Sequence, residues 1–528
     1  MNLVLTKSSR FQGGRNSCRL SVLAVFAICA ILATYSGSAA PTRLHYITTA
    51  HQAGPVGFRD PIGAVSPDGM WLAYISNRHF FLHRIEGSWT TELLPADHRK
   101  AALRWLPDSV HIAVMETSFN AIPRWFRYDI TTGKREVMDP PPTPTPQETK
   151  PRSVSEKIWG PAVYSPDRRT FYYSVANAKG TLDLWSCNTD TGDATQLTYF
   201  DRDTYDPSIT AHGDVLFKSQ VFSAFLGTAP AAGGTTRVLT TFQSETPTWS
   251  PDGKYLAFTF GTWRRVIDDA LYPNIAQDLG IIPFDPESVA QKPWRVFQAD
   301  DSEDQGMVWS PNRKWIVFHS HRNKTDDLYL QLADGSVAPR QITFGGVETG
   351  WPRWSPDGLW IAYSSFPGPL SSTRGKLYVL GIDQNTGEVI RAAAPINIQG
   401  QTETAGDPNW MPDSDHLVFE SSGAVQGRKS LSEVSRKGGH ARKIADYASD
   451  QTFSGISVTP DGKWIAYVGT APDGTYQIFR VPATGGPAQQ VTTDSNHKTQ
   501  PAYSPDGTQL AFTIWRYDVQ FWMLRANQ

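Results

Sequence analysis

The chain has 528 residues, with 49 Lys or Arg against 51 Asp or Glu, so its formal charge is −2 and binding dominated by nucleic-acid phosphates is excluded. Only 19% of residues are charged, 12% are aromatic, and there are 42 Gly and 38 Pro. That balance excludes disorder or coiled coil for the bulk of the chain and predicts short strands joined by tight turns.

Residues 1–39 carry Lys7, Arg10, Arg15 and Arg19 and no acidic residue, followed by an apolar run from Leu20 to Tyr35 and small residues from Ser36 to Ala40. This is the pattern of a secretory signal peptide cut after Ala39, and the run is short for a membrane span, which needs about 20 residues. A periplasmic or secreted product without an integral membrane domain is expected, anchored to the membrane if the leader is not cut. Loss of four cations takes the net charge from −2 to −6, which suits a soluble chain. Cys18 and Cys29 leave with the leader, so Cys187 has no intrachain disulfide partner, and its strand-like setting predicts a buried thiol.

From residue 42 one phrase recurs in chain order. It reads Ser66-Pro67-Asp68-Gly69, Leu106-Pro107-Asp108-Ser109, Ser165-Pro166-Asp167-Arg168, Ser250-Pro251-Asp252-Gly253 and Ser310-Pro311-Asn312-Arg313, then Ser355-Pro356-Asp357-Gly358, Met411-Pro412-Asp413-Ser414, Thr459-Pro460-Asp461-Gly462 and Ser504-Pro505-Asp506-Gly507. A degenerate copy spans Asp206 to Asp214, as unit four of ten. Pro fixes φ, Asp caps its own turn, Gly accepts positive φ, and a β-branched and aromatic run follows, so each phrase predicts a hairpin. Two further strands follow, as in DLYLQL and PRQITF, giving four antiparallel strands per unit, the blade of a β-propeller. Pro67 to Pro505 is 438 residues in nine steps, about 49 per unit. The last unit lacks a fourth strand and the segment TRLHYITTA resembles one. The expectation is an all-β fold over residues 42–528, ten blades in a ring closed by the N-terminal strand. Two smaller propellers are the alternative. Asp139–Lys150 and Thr262–Val296 read as insertions.

The W-SPDG-K-x-I-A-F phrase, the S-x-R ending at Ser76-Asn77-Arg78 and Ser320-His321-Arg322, and the D-G-x-x-R-Q-I-T closing strand resemble the propeller repeats of TolB. Those repeats also resemble the propellers of tricorn protease and, more distantly, of dipeptidyl peptidase IV and other prolyl oligopeptidase relatives. The resemblance implies a bacterial envelope setting and the fold, and it leaves function open. TolB itself has a separate α/β domain before its propeller and the peptidases have a hydrolase domain, and neither is expected here. Peptidase activity and TolB's own partners are therefore not implied.

No G-x-S-x-G elbow, H-E-x-x-H, P-loop, Rossmann glycine motif or paired C-x-x-C occurs, so no cofactor is expected from motifs and a divalent cation is the one left open. His319 and His321, two apart on a strand, would face one side as metal ligands; the competing reading is a turn residue beside a sheet histidine. Asp60, Asp206, Glu245, Asp304, Glu348 and Asp407 precede innermost strands and would form an acidic ring at one channel rim, or merely cap turns. Unit six is densest in carboxylates, and Arg264 and Arg265 lie in the neighbouring insertion. Trp105, Trp249, Trp309, Trp354 and Trp410 share one repeat slot and Trp71, Trp315, Trp360 and Trp464 another, which predicts packing between blades. Trp263, Trp294 and Trp351 fall outside those slots and are ligand candidates. The reading is a monomeric, non-catalytic platform for a protein or peptide partner, with an enzyme sited on the channel rim (glycan hydrolase or lyase, or peptidase-related) as the alternative and a structural spacer as a third.

Overall fold

The computed structural model describes residues 44–51, 63–76, 79–87, 89–94, 99–117, 124–139, 151, 154, 158, 162–177, 181–200, 202–261, 277–297, 302, 304–323, 325–344, 348–366, 375–400, 404–422, 428–449 and 455–526. The expected leader, Asp60, Trp263, Arg264 and Arg265 lie outside them. Every regular element among the described residues is a strand, and no helix is long and apolar enough to cross a membrane.

The repeat phrase forms the expected hairpin. In unit five the Ser250 hydroxyl donates to Asp252 Oδ1 at 2.7 Å, the Ser250 amide donates to the Tyr255 carbonyl at 2.9 Å, and Gly253 sits at φ 71°. Where glycine is missing, Ser109, Arg168, Arg313 and Ser414 take the same left-handed conformation. The turn thus persists at a local backbone cost when its glycine is lost.

Eight units each make their own four-stranded antiparallel sheet. Unit seven is typical, with strands Glu348–Trp354, Trp360–Phe366, Lys376–Ile382 and Val389–Pro395 paired in that order. Units four and ten depart from this. Their strands Val215–Pro230 and Gln509–Leu524 are 16 residues long and pair along their whole length, Val215 opposite Leu524 and Pro230 opposite Gln509. At one end Asp203–Ile209 and Leu44–His51 flank this pair; at the other, His497–Tyr503 and Arg237–Val238 do. One long ladder therefore serves two four-stranded sheets.

This pairing corrects the expectation of one ring of ten. The N-terminal strand does pair with the last strand, Leu44 opposite Leu524, but it completes the sheet of unit four instead of that of unit ten. The ten units fall into a set of four and a set of six, the two-propeller alternative. The strand Val215–Pro230 runs through Val221–Phe225 without a break, so both strands run on into the second set.

Packing follows the same division. Six apolar clusters lie between successive sheets of units five to ten. The last of these returns to the first, with Leu226 and Ala511 of unit ten against Leu256 and Phe258 of unit five. Trp249 Nε1 crosses the same boundary to donate to the Ala502 carbonyl at 2.9 Å. Trp105 reaches the Ala64 carbonyl and Trp410 that of Arg353 in the same way, so three of the five tryptophans in the shared slot tie their sheet to a neighbour, while the indole N–H groups of Trp309 and Trp354 have no partner among the described residues. In the four-unit set Leu72 and Tyr74 pack on Phe521 and Met523. Each fully buried Leu or Phe contributes about 1.5–3 kcal/mol. Cys187 is buried, as expected, and its thiol donates to the Asn188 carbonyl at 3.4 Å.

Candidate functional site

Each innermost strand in units four to ten carries one irregularity at a fixed place. The residue five before the repeat proline, or before Ala211 in unit four, has positive φ: Asp206 53°, Thr246 54°, Gly306 66°, Trp351 59°, Asp407 50°, Gly455 90° and Gln500 54°. The pairing register slips there in six of these strands, the mark of a β-bulge. In five of the seven the next residue is proline, which disfavours helical conformations before it. A left-handed non-glycine residue costs on the order of 1–3 kcal/mol, so the sheets on either side hold it in place.

In the six-unit set these bulges converge on a cavity open to solvent and lined by residues of all six units. Its walls are Thr246, Pro247 and Thr248 of unit five, Gly306 of unit six, Trp351 and Arg353 of unit seven, Asn409 of unit eight, Ile456 and Ser457 of unit nine, and Gln500, Pro501 and Ala502 of unit ten. Most of these side chains stand five or three residues before the repeat proline. Thr248 donates to the Met307 carbonyl at 2.6 Å and Asn409 Nδ2 to the Ile456 carbonyl at 3.0 Å, so the wall is cross-tied from unit to unit. Arg353 is the one charged residue in the wall.

Behind the wall lies a buried polar network. Asp407 is 2% exposed; its amide donates to Ser364 Oγ of unit seven, and its Oδ2 accepts from the Gly455 amide of unit nine at 2.9 Å. Oδ1 has no hydrogen-bond partner among the described residues. Burial, and then the negative Glu420, push the Asp407 carboxyl up to about 7, against the opposing pull of Lys429, the Gly455 amide and Arg353. Glu420 is paired with Lys429 at 2.9 Å and accepts from the Tyr447 hydroxyl at 2.6 Å. On the unit-six side, burial lowers the His319 imidazole to about 4. Its Nδ1 is shielded without a partner beneath Gly306, where an added Cβ would lie 3.3 Å away, and the ring meets Trp351 edge-on at 6.4 Å.

The carboxylates expected to form one acidic ring are placed separately. Asp206 pairs with Lys218 in the unit-four sheet, Asp304 takes both oxygens to Arg322 Nη2 at 3.0 and 2.7 Å, and Glu245 is buried within its strand. Asp407 backs the cavity without lining it. Glu348 begins the inner strand of unit seven, its side chain lying outside the described residues. These acids sit five to eight residues before the proline in different units, so they do not share one repeat position. His319 and His321 also diverge. The strand ends at Ser320, so alternation stops, and His321 Nδ1 turns to Asp326 at 2.9 Å. Among the described residues no group of three or more His, Cys, Asp or Glu side chains is placed to hold a metal ion. Trp351 is the expected site residue that lines the cavity, while Trp294 stacks on Tyr255 at 5.4 Å. Sequence reasoning missed Arg353, Asn409 and Gln500. The signal was available, because variation at the positions five and three before an otherwise constant turn marks them.

Three comparisons bear on this architecture. Residues 351–526 match the family described as the TolB beta propeller domain. An uncharacterized protein of Agrobacterium fabrum (strain C58) is 27% identical over 266 residues, covering 48% of this chain and 82% of its own length. Among solved structures, a protein of Agrobacterium tumefaciens assigned to TolB covers 56% of this chain and 99% of its own at 18% identity and TM-score 0.40. An oligogalacturonate lyase from Vibrio parahaemolyticus covers 75% of this chain and 95% of its own at 12% identity and TM-score 0.34.

Proposed function

We propose that this chain, a TolB-like β-propeller protein, is an exported, non-catalytic binding module that receives a protein or peptide segment at the axial cavity of its six-unit set. The cavity wall carries the reading. Thr248, Asn409, Ser457 and Gln500 present neutral hydrogen-bonding groups, while Trp351, Pro247 and Pro501 present rigid apolar surface. That combination matches an extended polypeptide, whose amides need partners and whose side chains need apolar contact. The charge pattern of residues 1–39 supports export.

A photo-cross-linking amino acid at Asn409 of the full chain, expressed in its native cells, tests the reading. The expected result is a discrete polypeptide adduct that Trp351→Ala reduces at least tenfold. Absence of any polypeptide adduct would overturn it.

The alternative, an enzyme, is favoured by one observation: a buried carboxyl raised to about 7 beside the wall, a value suited to general acid–base work. It requires turnover of a glycan or peptide substrate that Asp407→Asn abolishes.

A further inference from the structure

We infer that Arg353 makes the axial cavity a receptor for a carboxylate, and that the group it takes is the free C-terminus of a peptide entering end-on. This rests on the peptide-binding reading above and specifies which end of the ligand is held.

Arg353 lies three residues before the repeat proline on the unit-seven inner strand, two residues after the bulge at Trp351. Its Nη1 donates to the Pro352 carbonyl at 2.9 Å, and among the described residues no carboxylate comes within ion-pair distance of it. Arg353 is half-buried, and desolvation draws its guanidinium below the ordinary arginine value, yet arginine remains charged at any physiological pH. A cation partly withdrawn from water in this way gains from a ligand that answers its charge. Across the cavity the Gln500 Oε1 is already occupied by the Thr246 amide and the Thr513 hydroxyl, which leaves its Nε2 donor without a partner among the described residues. The wall therefore offers a planar cation and an amide donor, and no acidic side chain lines it. Guanidinium geometry suits a carboxylate, with two parallel N–H donors for two oxygens. The Trp351 indole, next along the same strand, would flank the last side chain of the ligand.

Asp407 supplies the internal counter-charge. It stands behind Arg353 with one oxygen unpartnered, and the charged and titratable groups around it are Arg353, Glu420, Lys429 and Tyr447. When the Asp407 carboxyl is protonated, below about pH 7, Arg353 is unopposed and a ligand carboxylate is held more tightly. When it ionises above that pH, it competes for Arg353 and retention falls.

The test uses the full chain with a pool of short synthetic peptides carrying free C-termini, the same pool amidated, and a pool of short oligouronides, with bound material read by mass spectrometry. Free-acid peptides are expected to be retained at least tenfold over amidated ones, more at pH 6 than at pH 8. Arg353→Gln should remove the preference, Arg353→Lys should keep part of it, and Asp407→Asn should abolish its pH dependence. If Arg353→Gln does not fold, Gln500→Glu adds the opposing charge from the facing strand, preserves the acceptor, and should lower free-acid retention tenfold. Equal retention of acid and amide peptides would overturn the carboxylate inference and leave peptide binding standing. Retention of oligouronides in place of peptides would overturn the peptide end. Retention of none of the three pools would overturn both.

Discussion

The four-unit and six-unit sets are built from one repeat and share two strands, yet their inner strands are used differently. In the six-unit set the inner strands line a cavity open to solvent. In the four-unit set the inner strand of unit one is only three residues long, and at Gly63 an added Cβ would lie 2.3 Å from the Phe521 ring. That ring belongs to the apolar cluster between the sheets of units four and one, and Asp206, at the same repeat position as Trp351, is tied to Lys218. The number of units sets how far apart the inner strands stand, and with it which repeat positions are available to a ligand. The bulge is retained in unit four, where its Asp206 side chain is tied to Lys218, so it belongs to the scaffold, and only its side chain is free to specialise.

The largest effect is expected from separating the two sets. Ser223, paired with Arg516, lies near the middle of the shared ladder, and Ser223→Pro removes a ladder hydrogen bond and bends the strand between the two sheets. Wild type should unfold in a single denaturant transition, and the variant in two, at an overall cost upwards of about 3 kcal/mol. Two transitions already present in wild type would mean that the shared strands do not couple the sets.

The blade repeat, its turn and the inter-sheet tryptophans were legible because each depends on local chemistry that recurs along the chain, the tryptophan in five of the ten units. Ser-Pro-Asp-Gly fixes its hairpin wherever it stands, and Trp249 and Trp410 occupy one slot for one contact. Division into two sets was not legible, because it depends on where strands Val215–Pro230 and Gln509–Leu524 fail to stop, and the lack of a break leaves little signal in a sequence rich in strands. The acidic ring failed for a related reason. Asp304 and Asp407 look equivalent as acids near a strand start, but they stand seven and five residues before the proline, and on a bulged strand that offset changes which neighbour each one meets. Counting back from the proline would have picked out Trp351 and Arg353 together.

An intermediate effect should separate the cavity wall from the rest of the six-unit set. The Asp407 carboxyl titrates near 7 when folded and near the ordinary 3.8 when unfolded. Below 3.8 both states are protonated and no penalty exists. As pH rises, the unfolded state ionises first, so stability is lost progressively up to about pH 7 and is then constant. Asp407→Asn removes that loss and should stabilise the protein at pH 8 relative to pH 4 by on the order of a few kcal/mol, read as the difference between the two variants' denaturation midpoints. His319 has the opposite sign. Its folded value near 4 lies below the unfolded 6.5, so its contribution is complete above 6.5 and fades as pH falls toward 4. His319→Phe should flatten that lower window only. A variant at Asp407 with unchanged pH dependence would place the charge compensation elsewhere in the wall.

The smallest effect concerns the turn that both sets share. Ser504 of unit ten and Ser165 of unit three each donate their hydroxyl to the turn aspartate and accept an amide five residues on, from Gln509 and Thr170, each at 2.9 Å. Ser504 is 4% exposed, whereas Ser165 is half-buried, so water can replace the lost bonds more readily at Ser165. Ser504→Ala should therefore cost about 1–2 kcal/mol and Ser165→Ala about half as much. Ser504 is also the main reason the Asp506 carboxyl lies below its ordinary value. A depressed carboxyl stabilises the fold above the unfolded value of 3.8 and loses that contribution as pH falls below it, so Ser504→Ala should shrink the acid-side decline as well as the midpoint. Equal costs at the two serines would mean that the turn is indifferent to how tightly its set is closed, and the contrast between the sets would then be confined to the inner strands.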